Sequence, residues 1–508
     1  MPTYLSPGVY VEEVSSGSKP IEGVGTAVAA FVGFADKGPV NEPTLVTNWT
    51  QFTQTFGEFI PNSYLAHSLY GYFLNGGGAA YVVRVGAPAP AEPLTAKAEL
   101  ESGQEGGKPP FRVRALEEGA RGEEISVEVA DPSEPTEDNF KLIVRGPKGA
   151  EEVYDNVTAK KGANHVGTRV KAASKLIAID EVRGVAAVAP RRGQVTLAGG
   201  TPPPSAEISA KDYVGSSADR TGFAGLEAVD EITMLCVPDL MAAFQQGMLD
   251  EEGVKAVQLA MIAHCELMAN RVAIVDTPPG LNAQAVKEWR MSYAGYDSKY
   301  AALYWPWIRV MDPLVGRASA MPPSGHMGGI WARNDATRGV HKAPANEVIR
   351  GALGPELQIT KIEHDQLNPV GVNCIRTFPG QGIRVWGART LSSDPEWRYL
   401  NVRRLFNFVE DSILRGTNWV VFEPNDPKLW DSVKRTITMF LRRVWRDGAL
   451  FGRTPADAFF VKCDEENNPP ENRDVGILTV DIGIAPVKPA EFVVFRISQF
   501  AGGAGLEE

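Results

Sequence analysis

The chain reads as a multidomain protein of α/β class with mixed α+β parts, and three observations predict this. Continuous apolar runs of strand length alternate with helical stretches in two separate blocks. Between the blocks lies a segment opened by APAPAEP and closed by GGTPPPS, which carries short runs of alternating polarity. After the second block come two long amphipathic helices and a last pair of strands. At roughly 150 residues per domain, 508 residues suggest about three domains.

Residues 1–20 join an alternating stretch, PGVYVEEV, to the linker SSGSKP, predicting a strand on a tether. Residues 21–88 form the first part of an α/β body. TAVAAFVGFA is apolar throughout, as a strand buried on both faces must be. NWTQFTQTFG and SYLAHSLYGYFLNGGG predict two helices, the second stopped by Gly76–Gly78, and AAYVVRV returns as a strand. Residues 89–204 form an inserted β-rich domain with strands FRVRAL, EISVEVAD, FKLIVRG and EEVYDNV. Over 205–390 the α/β pattern resumes. ITMLCVPD, RVAIVDTPP and AALYWPWIRV each predict a strand, and EGVKAVQLAMIAHCELMAN a helix, in a partly parallel sheet.

Residues 391–487 form a C-terminal α+β domain. Its first helix places Val402, Leu405, Phe406, Val409 and Ile413 on one face. The second runs from Pro427 to Gly448, with Trp430, Val433, Ile437, Phe440, Leu441 and Val444 on one side. Lys428, Arg435, Arg442 and Arg446 fall on the other, because their spacings return to nearly the same angle at 3.6 residues per turn. DVGILTVDIGI and AEFVVFRISQF predict closing strands, and 488–508 forms the final strand and a loose tail.

Composition excludes several classes. At 44% hydrophobic and 22% charged, the chain is too apolar for intrinsic disorder. A net charge of −11 argues against a nucleic-acid partner, which needs a basic surface. The longest apolar stretch, Thr26 to Ala35, is about half a membrane span, so no membrane insertion is expected. The opening MPTYLSPGVYVEEV shows no signal-peptide pattern. Cys236, Cys265, Cys374 and Cys463 form no CxxC pair and read as reduced and buried, suiting assembly in the bacterial cytoplasm.

Catalytic templates fail. VDTPPG at 275–280 is similar to the magnesium-side strand end of a P-loop NTPase, and a cytoplasmic nucleotide-binding enzyme is the alternative reading. The phosphate loop it would need is missing: the nearest candidate, Gly103 to Lys108, runs into Pro109-Pro110, which lack N–H donors. Pro278-Pro279-Gly280 also reads simply as a turn. No catalytic residue, cofactor or metal site is expected; His264-Cys265-Glu266 are adjacent on a helix and point in different directions.

Both ends read as strands with little local attachment. Gly8, Val9, Tyr10, Val11 and Glu12, and Phe492, Val493, Val494, Phe495 and Arg496, would either complete this chain's own sheet or pair with another copy.

Longer motifs favour the second choice. YLSPGVYVEEV, YAALYWPWIRVMDP, MPPSGHMGGIWARNDATRGVHKAPANEVIRG and the run from NPVGVNCIRTFPGQGIRVWGARTLSSDPEWRYLNVRRLF through NWVVFEPNDPKLW, WRDGALFG and AFFVKCD to APVKPAEFVVFRISQ occur in order. Together they resemble contractile-tail sheath proteins, the family shared by myovirus tails, R-type pyocins and phage-tail-like contractile injection systems. The resemblance implies a structural subunit with a central α/β sheath domain, the insert facing outward and the C-terminal domain facing inward. It implies hexameric rings or a helix of copies around an inner tube, linked by their terminal strand arms and bounded by baseplate and terminator (cap) proteins. Such a sheath contracts to drive the tube through a target envelope.

Between Arg398 and Arg453 stand 11 Lys or Arg against 6 Asp or Glu, in a chain that is net acidic. The stripe Lys428, Arg435, Arg442 and Arg446 is therefore expected to face an acidic tube, unless it pairs with Glu423 or Asp431 or faces solvent.

Overall fold

The computed structural model describes residues 20–86, 95–104, 106–116, 120–136, 138–182, 185–199 and 208–496. Its centre is a nine-stranded sheet built from both α/β blocks. The strands are β1 (Val28–Gly33), β2 (Thr44–Val46), β3 (Ala79–Arg84), β4 (Met234–Cys236), β5 (Val272–Asp276), β6 (Ala301–Trp305), β7 (Glu347–Val348), β8 (Val372–Phe378) and β9 (Gly382–Val385). They lie in the order β7-β9-β8-β6-β5-β4-β1-β3-β2. The six central strands from β8 to β3 run parallel, and β2, β9 and β7 join antiparallel at the edges.

The continuous apolar runs follow from burial on both faces. In β1, Ala30 and Val32 enter one core while Ala29 and Phe31 enter the other; β5 and β6 alternate the same way. Helix α1 (Leu65–Leu74) and helix α3 (Ser324–Arg338) cover the Phe31 face, and helix α2 (Glu251–Met268) covers the Val32 face. α1 and α3 cross closely, which explains the glycines of MGGIW: a Cβ on Gly329 would stand 2.3 Å from the Tyr72 carbonyl oxygen.

AALYWPWIRV does not form one strand. It breaks at Trp305-Pro306; Ala301–Trp305 stays in the parallel sheet, and Ile308–Asp312 pairs with Arg317–Met321 and Ala352–Pro355 in a separate antiparallel sheet. Pro306 has no N–H to donate, so the ladder cannot pass through it.

The segment between β3 and β4 carries its own core. Four strands (Gly193–Thr196, Ser126–Ala130, Asn139–Arg145 and Glu151–Thr158) and three more (Lys97–Leu100, Phe111–Ala115 and Ile177–Glu181) enclose Phe111, Val113, Val127, Phe140 and Leu142. Its helix Val166–Ala173 escaped the sequence reading because only Val166 and Val170 on it are buried.

Helices α4 (Leu400–Gly416) and α5 (Pro427–Arg446) pack on a two-stranded hairpin, Phe459–Lys462 with Asp481–Ile484. Ile21, which the sequence pattern groups with the α/β body, lies in this core, and Val24 N–H donates to Ser412 Oγ at 3.1 Å. A buried bidentate pair fixes this unit to the central sheet. Arg404 on α4 meets Asp335 on α3 at 2.6 and 2.9 Å, donates to the Thr26 carbonyl, and lies over the Trp331 ring.

Candidate functional site: an open hairpin, an apolar segment and a basic helix

α5 forms where predicted because the Asp426 side chain accepts from Leu429 N–H, Pro427 occupies the first turn, and Gly448, at φ +82°, stops it. Leu429, Trp430, Val433, Ile437, Phe440, Leu441 and Val444 are buried. Lys428, Arg435, Arg442 and Arg446 are all exposed on the opposite side. Among the described residues none of the four forms an ion pair, and Glu423 and Asp431 stand exposed without engaging them. Met439, 54% exposed, lies within the stripe. Part of the local basic excess is not surface at all: Arg403 and Arg404 are buried. Arg403 reaches Asn407 and Glu410 and stacks on Tyr300 and Trp397, and Arg404 is held by Asp335.

The hairpin presents two outer edges with no strand partner among the described residues. Its helix-covered face is packed, but both edges carry backbone N–H and C=O groups free of a strand neighbour among the described residues.

The chain leaves the hairpin, passes Val487, whose carbonyl accepts from Asn401, and is clamped at Glu491. There the carboxylate receives Arg389 Nε and Nη2 at 2.9 and 2.6 Å, Asn368 Nδ2 at 2.8 Å and the Tyr399 hydroxyl at 3.3 Å. These donors hold it below the usual carboxylate range against the opposing effect of burial. Beyond the clamp the predicted strand does not form. Phe492, Val493, Val494 and Phe495 are 69–82% exposed, Arg496 is exposed too, and none has a strand partner among the described residues. A strand needs a lateral neighbour, and the described residues offer none at that point. Gly8, Val9, Tyr10, Val11 and Glu12 lie outside the described residues.

The nucleotide-binding alternative meets a filled crevice. Strand order reverses between β1 and β4, where a doubly wound sheet binds phosphate at the carboxyl ends of its strands. Asp239, fully buried there, accepts from Phe34 N–H at 2.6 Å, Ser63 Oγ at 2.9 Å and Tyr64 N–H. Burial pushes its carboxyl up to about 6 despite those bonds. A Cβ on Gly33 would stand 2.5 Å from the same carboxylate. The chain's own anion thus takes amides that a phosphate would need. Asp276 of VDTPPG is buried as well, accepting from Ser324 N–H at 3.0 Å, and Gly103 and Lys108 lie in the insert, between strands Lys97–Leu100 and Phe111–Ala115 of a different sheet. Gly280, at φ +74°, makes the turn that Pro278-Pro279-Gly280 predicts. All four cysteines are free and buried.

Comparison with known proteins decides the family. Residues 207–391 match the phage tail sheath protein central domain and residues 392–500 the phage tail sheath C-terminal domain, together more than half of the chain. The chain belongs to the tail sheath protein family. A tail sheath protein of Burkholderia phage BcepMu is 23% identical over 525 residues, covering 96% of this chain and 95% of that one. A putative prophage major tail sheath protein of Pseudomonas aeruginosa is 28% identical over 250 residues, covering 48% of this chain and 61% of its own. The anti-feeding prophage helical sheath in its contracted state shares the sheath fold at a TM-score of 0.59 and 23% identity, over 98% of this chain and all of that one. The sheath of the PVC extracellular contractile injection system, also contracted, matches at the same score over 98% and 99%.

Proposed function

We propose that this protein is the structural subunit of a contractile sheath. It polymerises around an inner tube as part of a phage tail or phage-tail-like particle and contracts to drive the tube through a target envelope. One observation carries the reading: among the described residues, an exposed apolar segment without a strand partner follows a hairpin whose two edges are open. A chain that exposes four consecutive large apolar side chains and an unfilled sheet is complete only with other copies. Residues 492–496 of one copy, and residues 8–12 of another, add strands to the hairpin of a third. Main-chain hydrogen bonds in such links tolerate rotation of the bodies they join, while the Arg404–Asp335 pair and the Glu491 clamp keep each body stiff.

The stripe Lys428, Arg435, Arg442 and Arg446 faces the tube, whose surface is acidic by complementarity. Each exposed pair is worth on the order of 0–1 kcal/mol, so the contact holds by number and releases collectively. Subunits assemble in the bacterial cytoplasm as hexameric rings on a baseplate and end at a terminator. Electron microscopy of the purified full-length chain tests this. Striated hollow cylinders are expected, and a chain ending at Glu491 should give folded particles without long cylinders. Cylinders of full length from the shortened chain would refute strand exchange through 492–496.

A further inference from the structure

At the junction of the two family-matched segments, a pocket of about 300 Å3 opens between the end of the helical stretch Trp289–Ala294, the turn at Pro369–Gly371 and the connection 389–398. Three guanidinium groups line it. Arg389 is matched by Glu491. The other two have no carboxylate in contact among the described residues, although the Asp297 charge acts on Arg290 from beyond contact distance. Arg290 is only 7% exposed; its Nη2 donates to the Leu391 carbonyl at 3.1 Å, while among the described residues its buried Nε has no partner and no carboxylate lies within 4.0 Å of the group. Arg398 is half-buried and makes no ion pair or side-chain hydrogen bond among the described residues. The carboxylate on the pocket wall, Asp297, spends its two oxygens on Ser393, whose N–H and Oγ donate at 2.8 and 2.5 Å.

A buried guanidinium ordinarily keeps a counter-ion, because its charge is costly to remove from water and its fork geometry suits an oxyanion. Here Arg290 and Arg398 converge on open volume instead, with cationic charge in excess of the wall's own acids. We infer that this pocket binds an oxyanion, a carboxylate or a phosphate, with Arg290 and Arg398 as its ligands. An oxyanion held there ties the central segment, which supplies Arg290, to the C-terminal segment, which supplies Arg398. The site's chemistry stands apart from the sheath reading; only the source of the anion in a polymer rests on it.

Calorimetric titration of inorganic phosphate into the full-length unassembled chain, in phosphate-free buffer, tests the inference. Saturable binding at one site per chain is expected, weakened at least tenfold by Arg398→Gln and by Arg290→Lys, which keeps the charge but loses the fork. Arg398 holds no side-chain bond, so its variant should fold normally. No saturable binding, or equal binding by wild type and Arg398→Gln, overturns the site. Repeating the titration on assembled polymer identifies the source. Binding lost on assembly means an acidic side chain of a neighbouring copy fills the pocket, and binding retained means a free oxyanion does.

Discussion

The insert's strand charges and the basic stripe of α5 are disposed in opposite ways. Across the insert's strands Arg112 pairs with Glu99, Arg114 with Asp180, Arg145 with Glu128, Lys160 with Asp138 and Arg192 with Asp131, over a core of its own. In the C-terminal unit the stripe Lys428, Arg435, Arg442 and Arg446 has no ion pair, and the hairpin edges no strand neighbour, among the described residues, while Phe492 to Phe495 are exposed. A self-matched surface asks nothing of its surroundings; an unmatched one is half of an interface. On the function proposed above, the difference teaches which side of this molecule is built to be joined.

Four changes break or sharpen that contrast. Arg404→Met should have the largest effect, because it strands the buried carboxylate of Asp335 and loosens the C-terminal unit from the sheet. A loss of about 3–5 kcal/mol is expected in chemical denaturation, and a loss near zero would mean the two parts are not rigidly joined. Asp276 comes next. Burial raises its carboxyl from 3.8 to about 7, so the folded chain keeps a proton there that the unfolded chain releases. Stability therefore falls as pH rises through the interval from about 4 to about 7, by at most about 4 kcal/mol, and Asp276→Asn should flatten that slope.

Reversing Lys428, Arg435, Arg442 and Arg446 to Glu should leave folding intact and reduce tube loading in a salt-dependent way, at about 0–1 kcal/mol per residue. Unchanged loading in co-assembly with tube protein would remove the stripe from the interface. Smallest of all, Arg112→Ala in the insert should shift the thermal midpoint by no more than about 1 kcal/mol of stability allows, with no effect on polymer length.

Periodicity made much of this legible. The buried strands, α2, α4, α5 with its basic stripe, and the four named insert strands all follow from apolar spacing, which records only which face is covered. What spacing cannot show is a partner distant in sequence. In the sequence Arg404 is only one of 11 cations between Arg398 and Arg453, and nothing marks its partner Asp335, 69 positions earlier. Asp239 gave no signal because its donors, Phe34, Ser63 and Tyr64, are some 175 to 205 positions away. The strand foreseen at 490–500 has the right composition, but composition measures willingness to pair, not the presence of a neighbour.

From the order of residues alone come the parallel body, the interruption by a separate β-rich unit, the amphipathic last helices and, through long shared motifs, the sheath family. Folding in three dimensions was needed to show where the chain's satisfied part stops: at Glu491, where Arg389, Asn368 and Tyr399 close around a carboxylate and residues 492–496 have no strand partner among the described residues. The reason is physical. Local patterns encode the preference of each segment for burial, whereas whether a charge or a strand edge is matched depends on distances between segments that only the packed chain brings together.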